Sequence, residues 1–186
     1  MTNSRGRFLV LWDIDHTLID TRGVGTQLYH RAFETVTGRV IEHQVDVTGR
    51  TELAIFAETL RVHGMDPNDD LTKRYQSELV HRYETCSGLL RERGITLPGA
   101  DDALHSLATI PTVVQGVLTG NLRAVAMVKL QTFDLDQHID WEAGAYGEDD
   151  PERPHLVAIA QERAAARYSY RFDATNTFIV GDSVQD

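Results

Sequence analysis

Apolar residues follow two different patterns along this chain of 186 residues. Residues 8–12, 113–118 and 177–180 are apolar with little polar alternation, which is typical of strands buried on both faces of a parallel sheet. Between residues 24 and 94 the apolar positions recur instead every three or four residues, as they do in amphipathic helices. The chain is therefore predicted to combine a buried sheet with a helical region.

The helical region contains three apolar stripes, and each ends near a glycine, as helix C-termini often do. The stripes run from Leu28 to Gly38, from Leu53 to Gly64 and from Leu71 to Gly94. We interpret residues 21–94 as an α-helical cap domain. It is inserted into an α/β core formed by residues 1–20 and 95–186.

The second part of the core alternates strands with helices. Leu97-Pro98-Gly99 begins a helix that leads to the strand at residue 113, and a short further strand is predicted over residues 139–143. An apolar, alanine-rich helix pattern follows Pro154. This alternation implies a Rossmann-like parallel sheet with right-handed crossovers.

The composition is that of a globular protein and disfavours several other classes. With 18 basic and 28 acidic residues the net charge is −10, which argues against a general binder of nucleic-acid backbones. The apolar run at residues 8–12 is too short for a signal or a membrane span, so no membrane partner and a cytoplasmic location are expected. Cys86 is the single cysteine, which excludes an intrachain disulfide; a small buried residue in a helix is its expected role.

Two carboxylates come directly after the first strand. Asp13 and Asp15 fall at its carboxyl end, where open α/β sheets bind their ligands. Two carboxylates this close repel each other unless a cation lies between them or one of them holds a proton. The pair therefore suits a metal-assisted nucleophile beside an acid/base, although an isolated motif of this kind is more simply a turn in which Asp15 or Thr17 caps the next segment.

The strand at residue 113 ends in a hydroxyl and a turn. Thr119 is placed to donate to an anion, and Gly120 and Asn121 offer backbone N–H groups beside it, which makes both candidate substrate-binding residues. Taken alone, the same three residues are an ordinary turn from strand to helix with Asn121 as the N-cap.

Two further signals lie towards the end of the chain. Asp182 follows the strand at residues 177–180 and supplies a hard oxygen ligand of the kind that Mg²⁺ takes, although alone it could cap a helix. Arg153 stands at the start of a helix, where a cation is unfavourable unless it faces an anion. Its alternative is a solvated surface arginine.

The four motifs, in this order, resemble those of the haloacid dehalogenase superfamily, in the helical-cap branch that includes phosphoglycolate phosphatases. The resemblance covers residues 8–186. It implies that Asp13 is the nucleophile, Asp15 the general acid/base, Thr119 the phosphoryl clamp and Arg153 the third-motif cation.

The resemblance also implies a cofactor. Mg²⁺ would be held by Asp13, the carbonyl oxygen of Asp15, Asp182 and a second carboxylate of the last motif, Asp186. In similar proteins a loop between two cap helices contacts the leaving group of the substrate, which makes Arg50 a candidate substrate-binding residue. An exposed arginine in an inter-helix loop is the alternative for Arg50.

This chain departs from the resemblance at two places. His16 stands where most relatives carry glycine, so the turn there must accommodate a side chain. The third-motif cation is more commonly lysine. Lys129 is the rival of Arg153 for that role, but its surroundings look like a helix that exposes one basic residue.

The resemblance implies a Mg²⁺-dependent phosphatase that hydrolyses a small phosphorylated metabolite through an aspartyl phosphate. An Asp at position 15 resembles phosphatases and phosphomutases, not dehalogenating members. A phosphomutase and a non-catalytic binding or regulatory protein on the same fold remain as alternatives. The sequence names neither the substrate nor the oligomeric state, and an oligomer is compatible with it.

Relatives usually continue beyond the fourth motif with a helix and another strand. The last core elements are therefore expected to be missing, with the strand at residues 177–180 at or near an unprotected sheet edge. From this we expect a fragment of a longer gene product, or an edge that a partner covers.

Overall fold

The computed structural model describes residues 6–183. In chain order the elements are β1 (Phe8–Trp12), β2 (Ile19–Asp20), α1 (Val24–Thr37), α2 (Glu52–Val62), α3 (Asp69–Thr85), α4 (Ser87–Arg93), β3 (Ile95–Thr96), α5 (Ala100–Ala108), β4 (Val113–Val117), α6 (Arg123–Thr132), a 3-10 helix (Trp141–Ala143), α7 (His155–Tyr168) and β5 (Thr177–Val180).

The main sheet of the described chain has the strand order β4-β1-β5, with both neighbours parallel to β1. Side chains alternate across β1, so Val10 and Trp12 pack on the face covered by α5 and α6, while Leu9 and Leu11 pack on the face covered by α7. A helical layer therefore covers each face of the sheet. The predicted α/β fold with a parallel sheet is confirmed.

A polar residue within β4 is satisfied inside the core. Gln115 accepts a hydrogen bond from the Trp12 indole N–H at 3.0 Å and donates through its amide to the carbonyl of Leu104 at 2.9 Å. Because both polar ends have partners, burying this side chain carries no unpaired donor or acceptor.

The helical region contains α1 to α4, and the three predicted helix ends near a glycine hold, since α4 ends at Arg93 with Gly94 as its C-cap. The first two stripes are single helices followed by Gly38 and Gly64, each with a positive φ. The third stripe is broken at Cys86, which ends α3 and begins α4. The third stripe therefore spans two helices, and the expectation that Cys86 is buried is wrong, because this residue is half-buried.

The strand predicted over residues 139–143 is also wrong. The Asp140 carboxylate accepts a hydrogen bond from the backbone N–H of Glu142 at 3.1 Å and caps the short 3-10 helix there. The chain contacts β4 through the Asp140 N–H, which donates to the Gln115 carbonyl at 2.7 Å, and then forms an isolated bridge between Ala145 and Leu118. A local side-chain cap thus competes successfully with strand pairing.

The four cap helices share an apolar core that is not entirely their own. Leu122, the N-cap of α6, and Val125, within this helix, pack into the same cluster as Leu28, Phe33 and Phe56. The helical region is therefore anchored to the α/β core through α6. Treating residues 21–94 as a separate domain remains a prediction. Within residues 6–183, no helix is both long and apolar enough to cross a membrane.

The loop before α2 lies directly against the α/β core. The N–H of Glu52 donates to the carbonyl of Gly120 at 2.8 Å, and the Thr51 hydroxyl donates to the carbonyl of Pro151 at 3.2 Å. A Cβ atom at Gly120 would lie only 2.4 Å from the Arg50 carbonyl oxygen. Glycine at this position is what allows the loop and the core to touch.

We expect Gly120→Ala to lower the free energy of unfolding by about 1–3 kcal/mol, because backbone atoms of the loop must move to admit the methyl group. Gly88→Ala is the matched control, since nothing lies within 4 Å of a Cβ there and the residue is helical. Urea unfolding of the two variants beside the wild-type protein measures both effects. If the two variants had equal free energies of unfolding, the loop would accommodate the methyl group at Gly120 without loss of stability.

Candidate active site

The ends of the parallel strands bring the predicted site residues together. Asp13 follows β1, Thr119 lies two residues after β4, and Asp182 lies two residues after β5. Because the three strands are parallel neighbours, their carboxyl ends meet at one edge of the sheet. A cavity of about 500 Å³ opens there, lined by the following predicted residues: Asp13, Asp15, Arg50, Thr119, Gly120, Asn121, Arg153 and Asp182. Asp186 lies outside the described residues.

Asp13 is buried, with 6% of its surface exposed, and pairs with a cation. The Nη2 atom of Arg153 donates to its Oδ1 at 2.9 Å, and the Arg153 side chain is 10% exposed. Arg153 directly precedes the N-cap of α7, so the end of this helix places the guanidinium at the edge of the sheet. The interpretation of Arg153 as a solvated surface arginine is wrong.

Lys129 is buried in the same site, with a side chain that is 4% exposed. Its ammonium lies 2.8 and 2.7 Å from the two carboxylate oxygens of Asp15, 2.7 Å from the amide oxygen of Asn121, and 5.4 Å from the centre of the Tyr83 ring. The prediction that its helix exposes this residue is wrong. The signal was present in the spacing, because Lys129 lies four residues after the apolar Val125 on the same helical face.

Lys129 and Asn121 control the protonation of Asp15. Burial acts to raise the pKa of the Asp15 carboxyl, but the charge of Lys129 and hydrogen bonds from Lys129 and Asn121 outweigh it, and the pKa is lowered. The Asn121 amide donates to Asp15 at 2.8 Å. Burial lowers the pKa of Lys129 and the charge of Asp15 raises it, with a net increase. In the free protein both groups are therefore held in their charged forms.

Thr119 is fully buried and keeps a proton to donate. Its hydroxyl oxygen accepts hydrogen bonds from the Asn121 backbone N–H at 3.2 Å and from the Asn121 side-chain amide at 2.7 Å. With the oxygen acting as acceptor in both, the hydroxyl hydrogen is available for an anion. Asn121 does not cap α6, whose N-cap is Leu122, so the interpretation of Asn121 as an N-cap is wrong.

His16 adopts the backbone conformation that glycine would favour. Its φ is +61°, in the left-handed region, and its N–H donates to the carbonyl of Ile19 at 2.8 Å. The expectation that this turn must accommodate a side chain is confirmed. The turn presents the side chain of His16 to the cavity.

The sequence matches a family model over almost its whole length. The match is to the haloacid dehalogenase-like hydrolases and covers residues 10–186. The chain belongs to this family. No curated protein matches it in sequence.

Solved structures share the fold of this haloacid dehalogenase-like hydrolase. A hydrolase from Pseudomonas syringae has a TM-score of 0.63 at 19% identity, over 96% of this chain and 78% of that one. A predicted phosphatase from Clostridium acetobutylicum has a TM-score of 0.63 at 14% identity, over 98% and 79%. A predicted phosphoglycolate phosphatase from Haemophilus somnus has a TM-score of 0.58 at 14% identity, over 97% and 79%. At these identities the likeness concerns the fold.

The oxygen donors of this hydrolase match Mg²⁺ in type. Mg²⁺ is usually held by one or two carboxylates, completed by water and by phosphate oxygens of a substrate. Asp13 and Asp182 both line the cavity and supply two such carboxylates. Within residues 6–183 no group of three or more His, Cys, Asp or Glu residues is arranged to hold a metal ion. The donor set therefore suits a cation that also uses water and substrate oxygens.

We expect Lys129→Met to lower the free energy of unfolding by about 2–3 kcal/mol. The substitution leaves the Asp15 charge without its main partner, and the loss stays below that of a fully buried pair because the Asp15 side chain is 36% exposed. Lys73→Met on the exposed surface of α3 is the matched control. Urea denaturation of both variants is the measurement. If Lys129→Met cost no more than Lys73→Met, the buried ion pair would contribute nothing to folding.

Proposed function

We propose that this protein is a Mg²⁺-dependent phosphatase that hydrolyses a small phosphate monoester through an aspartyl-phosphate intermediate. The observation that carries the proposal is the placement of Asp13. It is a buried carboxylate, paired with Arg153, on the wall of a cavity that Thr119 and Asp15 also line. A nucleophile, a proton carrier and donors for phosphate oxygens thus converge on one space.

In the first step an Asp13 carboxylate oxygen forms a bond to phosphorus while the bond from phosphorus to the leaving oxygen breaks. The Thr119 hydroxyl, the backbone N–H of Gly120 and the Arg153 guanidinium bind the equatorial phosphate oxygens, while Asn121, whose N–H donates to the Thr119 oxygen, positions that hydroxyl. Asp13, Asp182 and the Asp15 carbonyl would hold Mg²⁺, with Asp186 as a further ligand, and the metal would supply positive charge that stabilises the transferring phosphoryl group.

Asp15 donates a proton in the first step and accepts one in the second. The phosphate ester brings negative charge beside Asp15, which raises the pKa of this carboxyl, so proton uptake accompanies substrate binding. Asp15 gives that proton to the departing alkoxide. It then takes a proton from the water that attacks phosphorus, which releases phosphate and restores Asp13.

The loop before α2 excludes bulk water from these steps. In the structure this loop lies on the core at Gly120, with Arg50 and Glu52 on the cavity wall. Exclusion of water protects the aspartyl phosphate until the hydrolytic water is in place. Arg50 remains a candidate contact for substrate, although two of its N–H groups donate to the carbonyls of Asp46 and Ala54.

Phosphate release from a panel of small phosphate esters, with Mg²⁺ and with EDTA, tests the proposal. We expect release that depends on Mg²⁺. Conversion between sugar-phosphate isomers without free phosphate would identify a phosphomutase instead. Binding of phosphate esters with no turnover of any of them would indicate a binding or regulatory protein.

A further inference from the structure

The cavity wall includes a carboxyl group from the helical region that no sequence motif indicated. Glu52 is the first residue of α2, immediately after Thr51, whose side chain accepts from the N–H of Ala54 and caps this helix. The backbone N–H of Glu52 donates to Gly120 in the core. These contacts fix Glu52 where the helical region meets the strand ends, and Glu52 lines the cavity.

Tyr75 orients the Glu52 side chain through a hydrogen bond. The tyrosine hydroxyl donates to Oε1 at 2.5 Å, and its ring stacks on Phe56 with 3.9 Å between the ring centres and 9° between the planes. Tyr75 is fully buried, so this donor is rigidly placed. A carboxylate can accept about four hydrogen bonds, which leaves Glu52 with acceptor capacity towards the cavity.

Burial raises the pKa of the Glu52 carboxyl and outweighs the Tyr75 hydrogen bond and the charge of Lys129, which lower it. A second negative charge placed beside Glu52 therefore costs free energy in either of two ways. If Glu52 is ionised, it repels that charge. The repulsion is relieved only if Glu52 takes up a proton.

The remaining wall on the side of the helical region combines hydroxyl groups with apolar residues, which are Ile41, Val45, Val47, Ile55 and Leu79. The Tyr29 and Thr59 hydroxyls share a hydrogen bond of 2.7 Å. The hydroxyl-bearing residues that line the cavity on the side of the helical region are Thr21, Thr26, Tyr29, Thr48, Thr59 and Tyr83. Hydroxyl groups both donate and accept, so this wall suits a ligand that carries hydroxyls of its own.

We propose that Glu52 is a specificity-determining residue that accepts a hydrogen bond from an uncharged, hydroxyl-rich leaving group and selects against a leaving group that carries a carboxylate. This inference rests on the proposed phosphatase function and names its substrate class. Arg50 also lines the cavity from the helical region, but two of its N–H groups already donate to backbone carbonyls. The side-chain donor to Glu52 among residues 6–183 is Tyr75.

The test compares specificity constants for glycerol 3-phosphate and 2-phosphoglycolate, with 4-nitrophenyl phosphate as a check on the chemistry. We expect the wild-type protein to prefer glycerol 3-phosphate by at least about tenfold. Glu52→Gln keeps the size of the side chain, removes its negative charge and offers N–H donors to a carboxylate. It should therefore reduce the preference by about tenfold or more.

Glu58→Gln is the matched control, because Glu58 lies on the same helix and forms an exposed ion pair with Arg61. It should leave the preference unchanged. Tyr75→Phe is the second variant, since it keeps the stacked ring but removes the hydroxyl that orients Glu52. It should reduce the preference by about threefold, and it carries the test if Glu52→Gln fails to fold.

The outcomes distinguish failure of the proposed phosphatase function from failure of the proposed role of Glu52. Absence of phosphate release from all three esters would overturn the phosphatase function, and the inference with it. Release of phosphate with 2-phosphoglycolate preferred would leave the phosphatase function standing and overturn the role of Glu52. So would a preference that the folded Glu52 or Tyr75 variants leave unchanged.

Discussion

Asp13→Asn is expected to reduce phosphate release by at least about four orders of magnitude, because a carboxamide cannot form the aspartyl phosphate. The substitution also removes one carboxylate from the proposed Mg²⁺ site. Its volume is unchanged, and the amide oxygen can still accept the hydrogen bond from Arg153 that Asp13 accepts at 2.9 Å. Turnover of 4-nitrophenyl phosphate, with far-UV circular dichroism of the same sample, measures activity and fold together.

The matched control for Asp13→Asn is Asp66→Asn, which makes the same chemical change in an exposed loop of the helical region. It should leave turnover unaltered. An Asp13→Asn protein that retained activity within about tenfold of wild type would remove Asp13 from the role of nucleophile. A protein that lost its circular dichroism spectrum would instead show that the pair with Arg153 is needed for folding.

Asp15→Asn is expected to slow hydrolysis of alkyl phosphates by about 10²–10⁴-fold and that of aryl phosphates by much less. An alkoxide is a poor leaving group and needs the proton that Asp15 supplies, whereas a nitrophenolate departs without one. The nucleophile Asp13 remains in place. The ratio of specificity constants for glycerol 3-phosphate and 4-nitrophenyl phosphate is the measurement.

The Asp15 variant needs a stability control, because it leaves the Lys129 ammonium buried without the carboxylate that it contacts at 2.7 and 2.8 Å. Thermal unfolding of Asp15→Asn should therefore begin at a lower temperature, and the assays belong well below it. Equal losses for the alkyl and the aryl ester would exclude general acid catalysis by Asp15. The residue would then be required only for charge or for structure.

The Rossmann-like arrangement was predictable because its determinants are local. A strand buried on both faces needs an uninterrupted apolar run, and the runs at residues 8–12, 113–118 and 177–180 match β1, β4 and β5. Polar residues at the point where such a strand leaves the core fall at one edge of the sheet. This rule predicts that Asp13 and Thr119 lie close together, and both line the cavity.

Other features depended on neighbours that lie far apart along the chain. Helical spacing puts Lys129 on the same face as Val125. A lysine can be buried on an apolar face only if a carboxylate pairs with it, and here that carboxylate is Asp15, which lies far away in sequence. The break at Cys86 and the 3-10 helix at Trp141–Ala143 were missed for a different reason. They are local, but a helix break and a cap by Asp140 leave the spacing of apolar residues unchanged.

The sequence by itself determined the α/β class, the helical character of residues 21–94 and the candidate carboxylates at the strand ends. These depend on periodicity and on where apolar runs stop, and both are properties of neighbouring residues. The tertiary structure alone decided which cation contacts which aspartate, with Arg153 on Asp13 and Lys129 on Asp15. It also decided that Glu52 lines the cavity. The physical reason is that an ion pair or a cavity wall is formed by side chains from separate elements, and only packing sets the distance between them.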